Sequence, residues 1–408
     1  MQEPKVAILH YSAPPIIGGV ESTLSAHARL LADHGYAVKI IAGRGEQFDP
    51  RVPIHIIPIV DSKHPFVLEA NRHLAGGKID GDLHALSKAL GHALAQASEG
   101  VDVCIAHNVL TLHKNLALSI ALHEMVQARR VRLIAWCHDF AWRDPVYAHE
   151  MHEGWPWDLL RQVWAGVKYV VISEGRRKEL AYLLGLAEEE IAVVPPGLDV
   201  CEFLGISETT SRWVRELKLL DTAPLLLLPA RVTRRKNIEL AVEITAALRE
   251  HGLAPKLVVM GPLGPHNPAN CAYLEELRER RKRRDLEEAV IFLQDYGPVD
   301  DVTRRDLYWL ADVLLFTSWR EGFGIPILEA GLTRLPIFCA DIPPFRESAG
   351  EYAHYFAFDE SPTVIAERIV QFLAQDDRYQ LKRRVVREYA WSRIFKERIE
   401  PLLKEIYE

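Results

Sequence analysis

Ser-Trp-Arg-Glu-Gly-Phe-Gly-Ile-Pro-Ile-Leu-Glu-Ala, residues 318–330, follows an apolar run at residues 312–317. The apolar run is typical of a buried strand, and Pro326 suits the first turn of a helix. Gly322 and Gly324 therefore fall in the turn between strand and helix, where glycine lets a ligand approach the backbone closely. Because a helix N-terminus carries roughly half a positive charge, we expect this turn to bind an anion, usually a phosphate.

Two glutamates lie on either side of this turn. Glu321 precedes the glycines, and Glu329 lies about one turn into the helix, with its side chain leaning back toward the N-terminus. Carboxylates accept hydrogen bonds from sugar hydroxyls, so a phosphate site with two such acceptors suits a nucleotide-sugar. A lone Gly-x-Gly is more often an ordinary tight turn, in which both glutamates simply favour a helix N-terminus.

The longer string Glu-Gly-Phe-Gly-Ile-Pro-x-Leu-Glu-Ala, residues 321–330, resembles the signature of the family 4 (group 1) retaining glycosyltransferases. In that family the first glutamate holds hydroxyls of the donor sugar and the second holds the ribose, which assigns these roles to Glu321 and Glu329. The resemblance also implies the α/β fold termed GT-B, with two facing Rossmann-like, doubly wound domains and a cleft between them.

The composition is that of a globular protein with two domains of ordinary size. The chain has 408 residues, of which 49% are hydrophobic and 26% charged. Its net charge of −7 argues against a protein that mainly binds nucleic acid or anionic lipid. Basic runs at residues 278–284 and 382–387 are flanked by acidic residues and have helical spacing, so each is either a solvated helix face or a patch for weak peripheral contact with a membrane.

Five scattered cysteines form no Cys-x-x-Cys pair, which favours buried thiols in a reducing compartment over a disulfide or zinc framework. No apolar run approaches the roughly 18 residues that span a bilayer, and the chain enters its first strand almost at once. We therefore expect a cytoplasmic protein without a transmembrane segment. The sequence has no clear cluster of carboxylates that would hold a metal ion, so we expect no metal, and we expect no cofactor. The sequence leaves the oligomeric state open.

Strand and helix patterns alternate in the first half, beginning with a strand at residues 6–11, a loop with Gly18 and Gly19, and a helix at residues 20–34. Such alternation predicts a parallel sheet covered on both faces, with ligands beyond the carboxyl ends of its strands. In the resembled family the glycine loop closes over the donor diphosphate, which gives Gly18 and Gly19 a donor-binding role. The other interpretation is that they ease the chain into the helix.

Polar pairs, His107-Asn108 and His138-Asp139, end two strands of this half. A single histidine at a strand end is more often structural. The pair His138-Asp139, however, resembles the His-Asp segment of the family, in which the histidine faces the donor sugar. We place His138 in the active site, where neutral imidazole can bind a sugar hydroxyl or exchange a proton, and leave its role open.

Residues 140–157 are the part of the chain least like the family. Aromatic and charged residues mix there without a helical or strand period, and a long structured loop after a polar strand end is usually functional. Tryptophan faces stack on sugar rings, and Arg143 suits a carboxylate or phosphate. We expect this loop to form a pocket for a sugar or small polar acceptor with Asn108, Trp142 and Arg143; a packed aromatic cluster between domains is the other interpretation.

Pro195-Pro196-Gly197 makes a natural break, after which the alternation of strands and helices starts again. We set an N-terminal, acceptor-binding domain at residues 1–195 and a C-terminal domain for the nucleotide-sugar at residues 196–389. In the resembled family a terminal helix, here about residues 390–408, crosses back onto the first domain.

Arg231 lies at a strand end and Lys236 at a helix start, where two cations and the helix N-terminus suit a diphosphate. Solvated basic residues on a loop are the alternative. The spacing Arg-x-x-x-x-Lys-Asn resembles the diphosphate-binding pair of the family, although Ala230 replaces its usual glycine. Gly261 follows another strand, as a glycine does in the family.

The resemblance implies a metal-independent retaining hexosyltransferase, in which a hexose passes from a nucleoside diphosphate-sugar to an acceptor hydroxyl on the face that the phosphate leaves. The predicted catalytic residues are Glu321, His138, Arg231 and Lys236. The predicted donor-binding residues are Gly18, Gly19, Arg231, Lys236, Gly261, Gly322, Phe323, Gly324, Ile325 and Glu329. The alternatives are a nucleotide-sugar isomerase or hydrolase of the same fold and a non-catalytic nucleotide-sugar-binding protein.

Overall fold

A computed structural model describes residues 3–264 and 268–407. These residues form two compact units. The first contains the chain up to Leu198 and again from Tyr389 onward, and the second is Asp199–Glu388. Within the described ranges, no helix combines the length and the apolar character that crossing a lipid bilayer requires.

The first unit contains a parallel sheet with helices on both faces. Its strands are β1 (Val6–His10), β2 (Val38–Ala42), β3 (Ile54–Ile56), β4 (Val103–His107), β5 (Arg132–Cys137), β6 (Val167–Val171) and β7 (Ile191–Val193). They form one seven-stranded sheet in the order β3-β2-β1-β4-β5-β6-β7. The helices before Leu198 are α1 (Gly19–Asp33), α2 (Pro65–Ala75), α3 (Gly81–Ala97), α4 (Leu116–Gln127) and α5 (Glu174–Leu184).

Alternate residues of β1 belong to two different apolar clusters, one on each face of this sheet. Ala7 and Leu9 pack in one cluster, and Val6 and Ile8 pack in the other. Successive side chains of a strand point to opposite faces, so both faces of the sheet are buried. This burial explains why the strands read as nearly continuous apolar runs in the sequence.

The second unit repeats this architecture with six strands. They are β8 (Leu225–Leu228), β9 (Lys256–Val259), β10 (Val290–Phe292), β11 (Val313–Phe316), β12 (Ile337–Ala340) and β13 (His354–Phe356). All neighbours are parallel, in the order β10-β9-β8-β11-β12-β13. The helices are α6 (Val200–Phe203), α7 (Glu208–Glu216), α8 (Ile238–Glu250), α9 (Ala269–Arg283), α10 (Asp301–Leu310), α11 (Ile325–Leu332), α12 (Pro343–Ala349), α13 (Pro362–Gln375) and α14 (Asp377–Arg384). The prediction of two Rossmann-like α/β domains is confirmed.

The end of the chain packs on the first unit. Helices α15 (Trp391–Ile394) and α16 (Glu400–Tyr407) are joined by a π-helical turn, Phe395–Ile399. Phe395 is fully buried, and its ring stacks on His34 with centroids 4.0 Å apart. Together with Ile394, Ile399 and Leu403 it belongs to the same apolar cluster as Val6 and Ile8 of β1.

The two basic runs are largely ion-paired within the second unit. Arg280 and Arg284 both bind Glu243, and Lys382 Nζ lies 2.8 Å from Asp312 Oδ1. These partners fix the cations against the protein's own surface. The pairing favours the interpretation of these runs as helix faces over that of a membrane patch.

Both sheets have a switch point, where the strand order reverses. It lies between β1 and β4 in the first unit and between β8 and β11 in the second. The loops that leave the carboxyl ends of neighbouring strands diverge at such a point and open a crevice that binds ligands. The polar residues that follow β1, β4, β8 and β11 therefore lie at the binding edges of the two sheets.

Candidate active site

Glu321 and Lys236 meet beyond the carboxyl end of β11. Lys236 Nζ donates to Glu321 Oε1, and Ser318 Oγ donates to the same oxygen at 2.7 Å. Arg235 Nη1 donates to Glu321 Oε2 at 3.0 Å. Only 10% of the Glu321 side chain and 9% of the Lys236 side chain are exposed, so the pair is held in one geometry largely away from water.

Glu321 is ionised at neutral pH. Burial raises the pKa of Glu321, but the hydrogen bonds from Lys236 and Ser318 and the charge of Lys236 outweigh burial and hold that pKa below its usual value. Burial lowers the pKa of Lys236, and the hydrogen bond to Glu321 opposes this effect. The fixed carboxylate can orient sugar hydroxyls, and the ammonium beside it can bind phosphate.

The turn between β11 and α11 offers backbone amides. Gly324 has a φ of +104°, in the left-handed region that favours glycine. In the part of the chain that the structure describes, the N–H groups of Gly322, Phe323 and Gly324 donate to no other group. Phe323 and Ile325 are exposed beside them. Unpaired amides at a helix N-terminus are the arrangement that binds anions.

Arg231 follows β8 and is exposed. Its guanidinium has no hydrogen bond or ion pair among residues 3–264 and 268–407, and its charge helps to lower the pKa of Lys236. A Cβ on Gly261 would lie 2.4 Å from Ala230 O and 2.6 Å from Arg231 N. Only glycine at position 261 lets the loops after β8 and β9 approach this closely, so Gly261 positions the backbone of Arg231.

Glu329 lies in α11 and is held by α10. Tyr308 Oη donates to Glu329 Oε2 at 2.6 Å, and Arg304 Nε lies 3.5 Å from Glu329 Oε1. Burial and the hydrogen bond to Glu329 raise the pKa of Tyr308, which keeps its hydroxyl protonated as a donor. Each carboxylate oxygen accepts more than one hydrogen bond, so Glu329 can still accept from a ribose hydroxyl.

Gly18 and Gly19 stand at the start of α1. Gly18 is its N-cap residue in an extended conformation, and Gly19 is its first residue. A Cβ on Gly18 would lie 2.2 Å from Glu21 Oε2, whereas a Cβ on Gly19 would meet nothing within 4 Å. Ser12 Oγ donates to Glu21 Oε1 at 2.6 Å, which ties the loop after β1 to α1.

Asn108 and His138 are joined beyond the ends of β4 and β5. Asn108 has a φ of 60°, and its Oδ1 accepts from the backbone N–H groups of His138 at 2.7 Å and Asp139 at 3.2 Å. Its Nδ2 donates to Asp139 Oδ2 at 3.2 Å. The amide of Asn108 is therefore occupied in fixing the backbone that carries His138, which gives it a positioning role.

His138 belongs to a group of four buried histidines, with His10, His27 and His107. His10 Nδ1 lies 3.0 Å from His107 O, and His107 Nδ1 lies 3.0 Å from His138 Nε2. The ring of His27 packs on Trp136 with centroids 4.5 Å apart. Burial lowers the pKa of all four histidines, to about 4 for His138 and about 3 for His27. All four are neutral at pH 7.

The loop at residues 140–157 packs mainly on itself and its neighbours. Trp142 Nε1 donates to Trp157 O at 3.1 Å, and the guanidinium of Arg161 lies 4.0 Å from the centroid of the Trp142 ring. Arg143 lies over the ring of Tyr182, at 5.1 Å. Within the described ranges, neither Trp142 nor Arg143 contacts Asn108 or His138 by a hydrogen bond or ring contact. For Trp142 this geometry favours a packed aromatic cluster over a free stacking surface.

Several residues around the candidate site escaped the sequence analysis. Ser318 and Tyr308 support the two glutamates, and His107 contacts His138. Ser318 opens the stretch quoted first and His107 ends a predicted strand, so both had a signal. Tyr308 had none, because its contact with Glu329 joins two helices through the tertiary fold.

Among the described residues, no group of three histidine, cysteine, aspartate or glutamate side chains is arranged to hold a metal ion.

Models of two known protein families match the sequence of this chain. Residues 17–202 match Glycosyltransferase Family 4, and residues 210–392 match Glycosyl transferases group 1. The two matches lie side by side and cover most of the first unit and most of the second.

Individual relatives have a low sequence identity to this chain or align with only a short part of it. A mannosylglucosylglycerate synthase of Thermotoga maritima is 24% identical over 371 residues, which cover 84% of this chain and 82% of that protein. A serotype-specific mannosyltransferase of Escherichia coli is 38% identical over 89 residues, 22% of this chain. The chain spans only 10% of the length of that mannosyltransferase. A crystal structure of a glycosyltransferase from Rickettsia africae covers 99% of each chain at 16% identity, with a TM-score of 0.38.

Proposed function

Because this chain belongs to the group 1 glycosyltransferases, of the GT-B fold, we propose that it transfers a hexose from a nucleoside diphosphate-sugar to an acceptor hydroxyl with retention at the anomeric carbon. The observation that carries this proposal is the cluster of Glu321, Lys236 and Ser318 beside the unpaired amides of residues 322–324. It places an acceptor of sugar hydroxyls next to two kinds of phosphate-binding group.

The second unit binds the donor in this proposal. Arg231 and Lys236 hold the diphosphate together with the amides of the turn before α11, and Glu329 holds the ribose. Glu321 orients the sugar. The exposed guanidinium of Arg231 supports this assignment, since no carboxylate of the described chain neutralises it.

The chemistry depends mainly on stabilising the leaving group. As the bond between the anomeric carbon and the phosphate oxygen breaks, charge develops on the diphosphate, and Arg231, Lys236 and the amides stabilise that charge. The acceptor oxygen bonds to the anomeric carbon on the same face, and its proton passes to the leaving phosphate oxygen. In this proposal Glu321 orients the sugar and does not attack the anomeric carbon; the hydrogen bonds from Lys236, Ser318 and Arg235 hold its carboxylate in place as an acceptor.

The remaining assignments are parts of the same proposal. Because cations and amides supply the charge stabilisation, transfer needs no divalent metal. His138, at the binding edge of the first unit, contacts the donor sugar. The acceptor is a sugar or small polar molecule. The five cysteines are free thiols, which suits the reducing cytoplasm.

A donor screen tests the proposal. Purified protein is incubated with each common nucleoside diphosphate-sugar in EDTA, and release of nucleoside diphosphate is followed with and without a pool of sugar and polyol acceptors. Release from one donor that rises with acceptor and is lost in Glu321→Ala supports the transferase. Release independent of any acceptor identifies a hydrolase or isomerase, and donor binding without release identifies a binding protein; either outcome overturns the proposal.

A further inference from the structure

His107 and His138 form a contact whose direction has a chemical consequence. The two nitrogens in contact, His107 Nδ1 and His138 Nε2, are 3.0 Å apart, which is a hydrogen-bond distance. Two neutral imidazoles can share such a contact only if one nitrogen carries a proton and the other accepts it. The direction of the bond therefore decides which nitrogen of His138 carries the proton.

The surroundings of His107 decide between the two directions. His107 is fully buried, its ring stacks on Trp136 with centroids 5.7 Å apart, and the ring of His27 lies 5.5 Å away. Its other nitrogen, Nε2, is buried and has no hydrogen-bond partner in the described part of the chain. If His138 were the donor, His107 would have to carry its proton on Nε2, as a buried N–H without an acceptor.

A buried N–H without an acceptor is rarer and less favourable than a bare nitrogen in the same place. His107 therefore carries its proton on Nδ1. His138 must then accept at Nε2 and carry its own proton on Nδ1. His138 keeps 7% of its surface exposed, and its Nδ1 is not among the buried side-chain atoms that lack a partner, so Nδ1 is the accessible edge of this ring.

We propose that His107 is a positioning residue: its Nδ1–H donates to His138 Nε2 and fixes His138 as the tautomer that presents an N–H, at Nδ1, to the ligand. This inference rests on the proposed function and gives His138 a defined role in it. His138 donates a hydrogen bond to an oxygen of the donor sugar and does not accept the proton of an attacking hydroxyl. The sugar atom that faces it is a hydrogen-bond acceptor.

The charged and titratable groups around His138 are compatible with this neutral donor. Asp139 favours the charged form of His138, whereas burial, His10 and Arg176 oppose it. Asp139 is itself occupied, since Asn108 Nδ2 donates to its Oδ2 and Arg176 Nη2 lies 3.4 Å from its Oδ1.

The direct test is the tautomer of His138 in the wild-type protein. Protein labelled with ¹⁵N in histidine, with His138 assigned through its backbone, is examined by NMR at pH 7.5. The proposal predicts the shift of a protonated nitrogen at Nδ1 and that of a bare nitrogen at Nε2. The reverse pattern overturns the proposal, whether or not any variant folds.

Three variants test the role of His107. His107→Phe keeps a flat ring against Trp136 but removes the donor, and it should release His138 into a mixture of tautomers and lower kcat about 10-fold with a smaller change in KM. His107→Asn places an amide N–H near the position of Nδ1 and should recover most of both readouts. His27→Phe changes the same aromatic cluster without removing a hydrogen bond, because both nitrogens of His27 lack partners among the described residues. It should leave the tautomer unchanged.

The two proposals fail separately. If His107→Phe leaves both the tautomer of His138 and kcat unchanged, the positioning role is wrong even though transfer is observed. If no donor is turned over, the transferase assignment fails, while the wild-type spectrum still decides whether His107 fixes the tautomer of His138.

Discussion

At the scale of the residue, the contact between Glu321 and Lys236 shows what the sequence alone could not predict. Both were predicted as site residues, but their sequence positions do not predict that they touch. They are 85 positions apart and meet because β8 and β11 are neighbours in the sheet. The turn at residues 322–324 is different, since glycines followed by a helix-starting proline encode it locally.

Removing the charge of Glu321 should impair both activity and stability. Glu321→Gln leaves the buried ammonium of Lys236 without its counter-charge, which should lower the free energy of unfolding by about 3 kcal/mol. Misplacement of the donor sugar should reduce the transfer rate by about 100-fold. Urea denaturation and steady-state kinetics measure the two effects.

A double-mutant cycle separates the ion pair from other effects of that substitution. Lys236→Met alone should also destabilise the protein, but Glu321→Gln combined with Lys236→Met should cost less than the sum of the two single changes, because neither charge is then left unpaired. Strict additivity in the cycle would show that the two side chains do not interact in solution.

Gly261 gives a second test at this scale. Gly261→Ala brings a Cβ within 2.4 Å of Ala230 O, so the loops after β8 and β9 must separate. We expect a loss of about 1 to 3 kcal/mol of stability from this overpacking. Donor affinity, measured by calorimetric titration, should fall because Arg231 moves.

The matched control for Gly261→Ala is Gly91→Ala. Gly91 lies within α3, where an added Cβ meets nothing within 4 Å. Alanine there should leave donor affinity unchanged and raise stability by about 0.5 to 1 kcal/mol. Equal losses in the two variants would mean that the close approach at Gly261 has no part in binding.

At the scale of the element, the buried His27 of helix α1 should make the first unit sensitive to acid. His27 has a pKa of about 3 in the folded protein, against an ordinary value of 6.5. Between these values the unfolded chain binds a proton that the folded unit does not. Stability that is complete above pH 6.5 is therefore lost as the pH falls, by about 1.4 kcal/mol per pH unit for this group alone.

His27→Phe should remove that contribution and make the pH dependence shallower below pH 6.5. Amide hydrogen exchange of β4, corrected for the intrinsic exchange rate at each pH, reports the stability of the first unit directly. The corresponding change at the exposed His92 of α3 serves as the control for replacing an imidazole by a phenyl ring. An unchanged slope in His27→Phe would show that His27 is already protonated in the folded unit.

The sequence predicted the elements better than their ends. The apolar run at residues 54–59 has the composition of a strand, but β3 ends at Ile56, because Pro58 starts a 3₁₀ turn and cannot donate to the sheet. The helix α2 (Pro65–Ala75) went unrecognised. The aromatic loop at residues 140–157 has no period to identify its contacts, so the packing of Trp142 under Arg161 became visible only in the structure.

At the scale of the whole molecule, the chain leaves the first unit after Leu198 and returns to it at Tyr389. Leu198 N donates to Tyr389 O at 2.9 Å, and Trp391 N donates back to Leu198 O at 3.2 Å. The last residues then complete an apolar cluster that begins with β1. The alternation of strands and helices predicted both sheets, whereas these contacts between the two ends of the first unit have no local signal.

The return of the chain predicts that the first unit depends on its last residues. Phe395→Ala opens a cavity beside His34 in a fully buried position and should destabilise the first unit by about 3 to 5 kcal/mol. Hydrogen exchange should accelerate in β1 and β4 but not in β8 or β11. Equal acceleration in both sheets would contradict the assignment of residue 395 to the first unit.

The central claim is retaining transfer of a hexose, and the anomeric configuration of the first product tests it most directly. With the donor found in the screen and the acceptor that stimulates it, NMR spectra are recorded during the earliest turnovers. We predict a new glycoside whose anomeric carbon has the configuration of the donor, formed about 100-fold more slowly with Glu321→Gln. A glycoside of opposite configuration, or free sugar without a glycoside, would contradict the account.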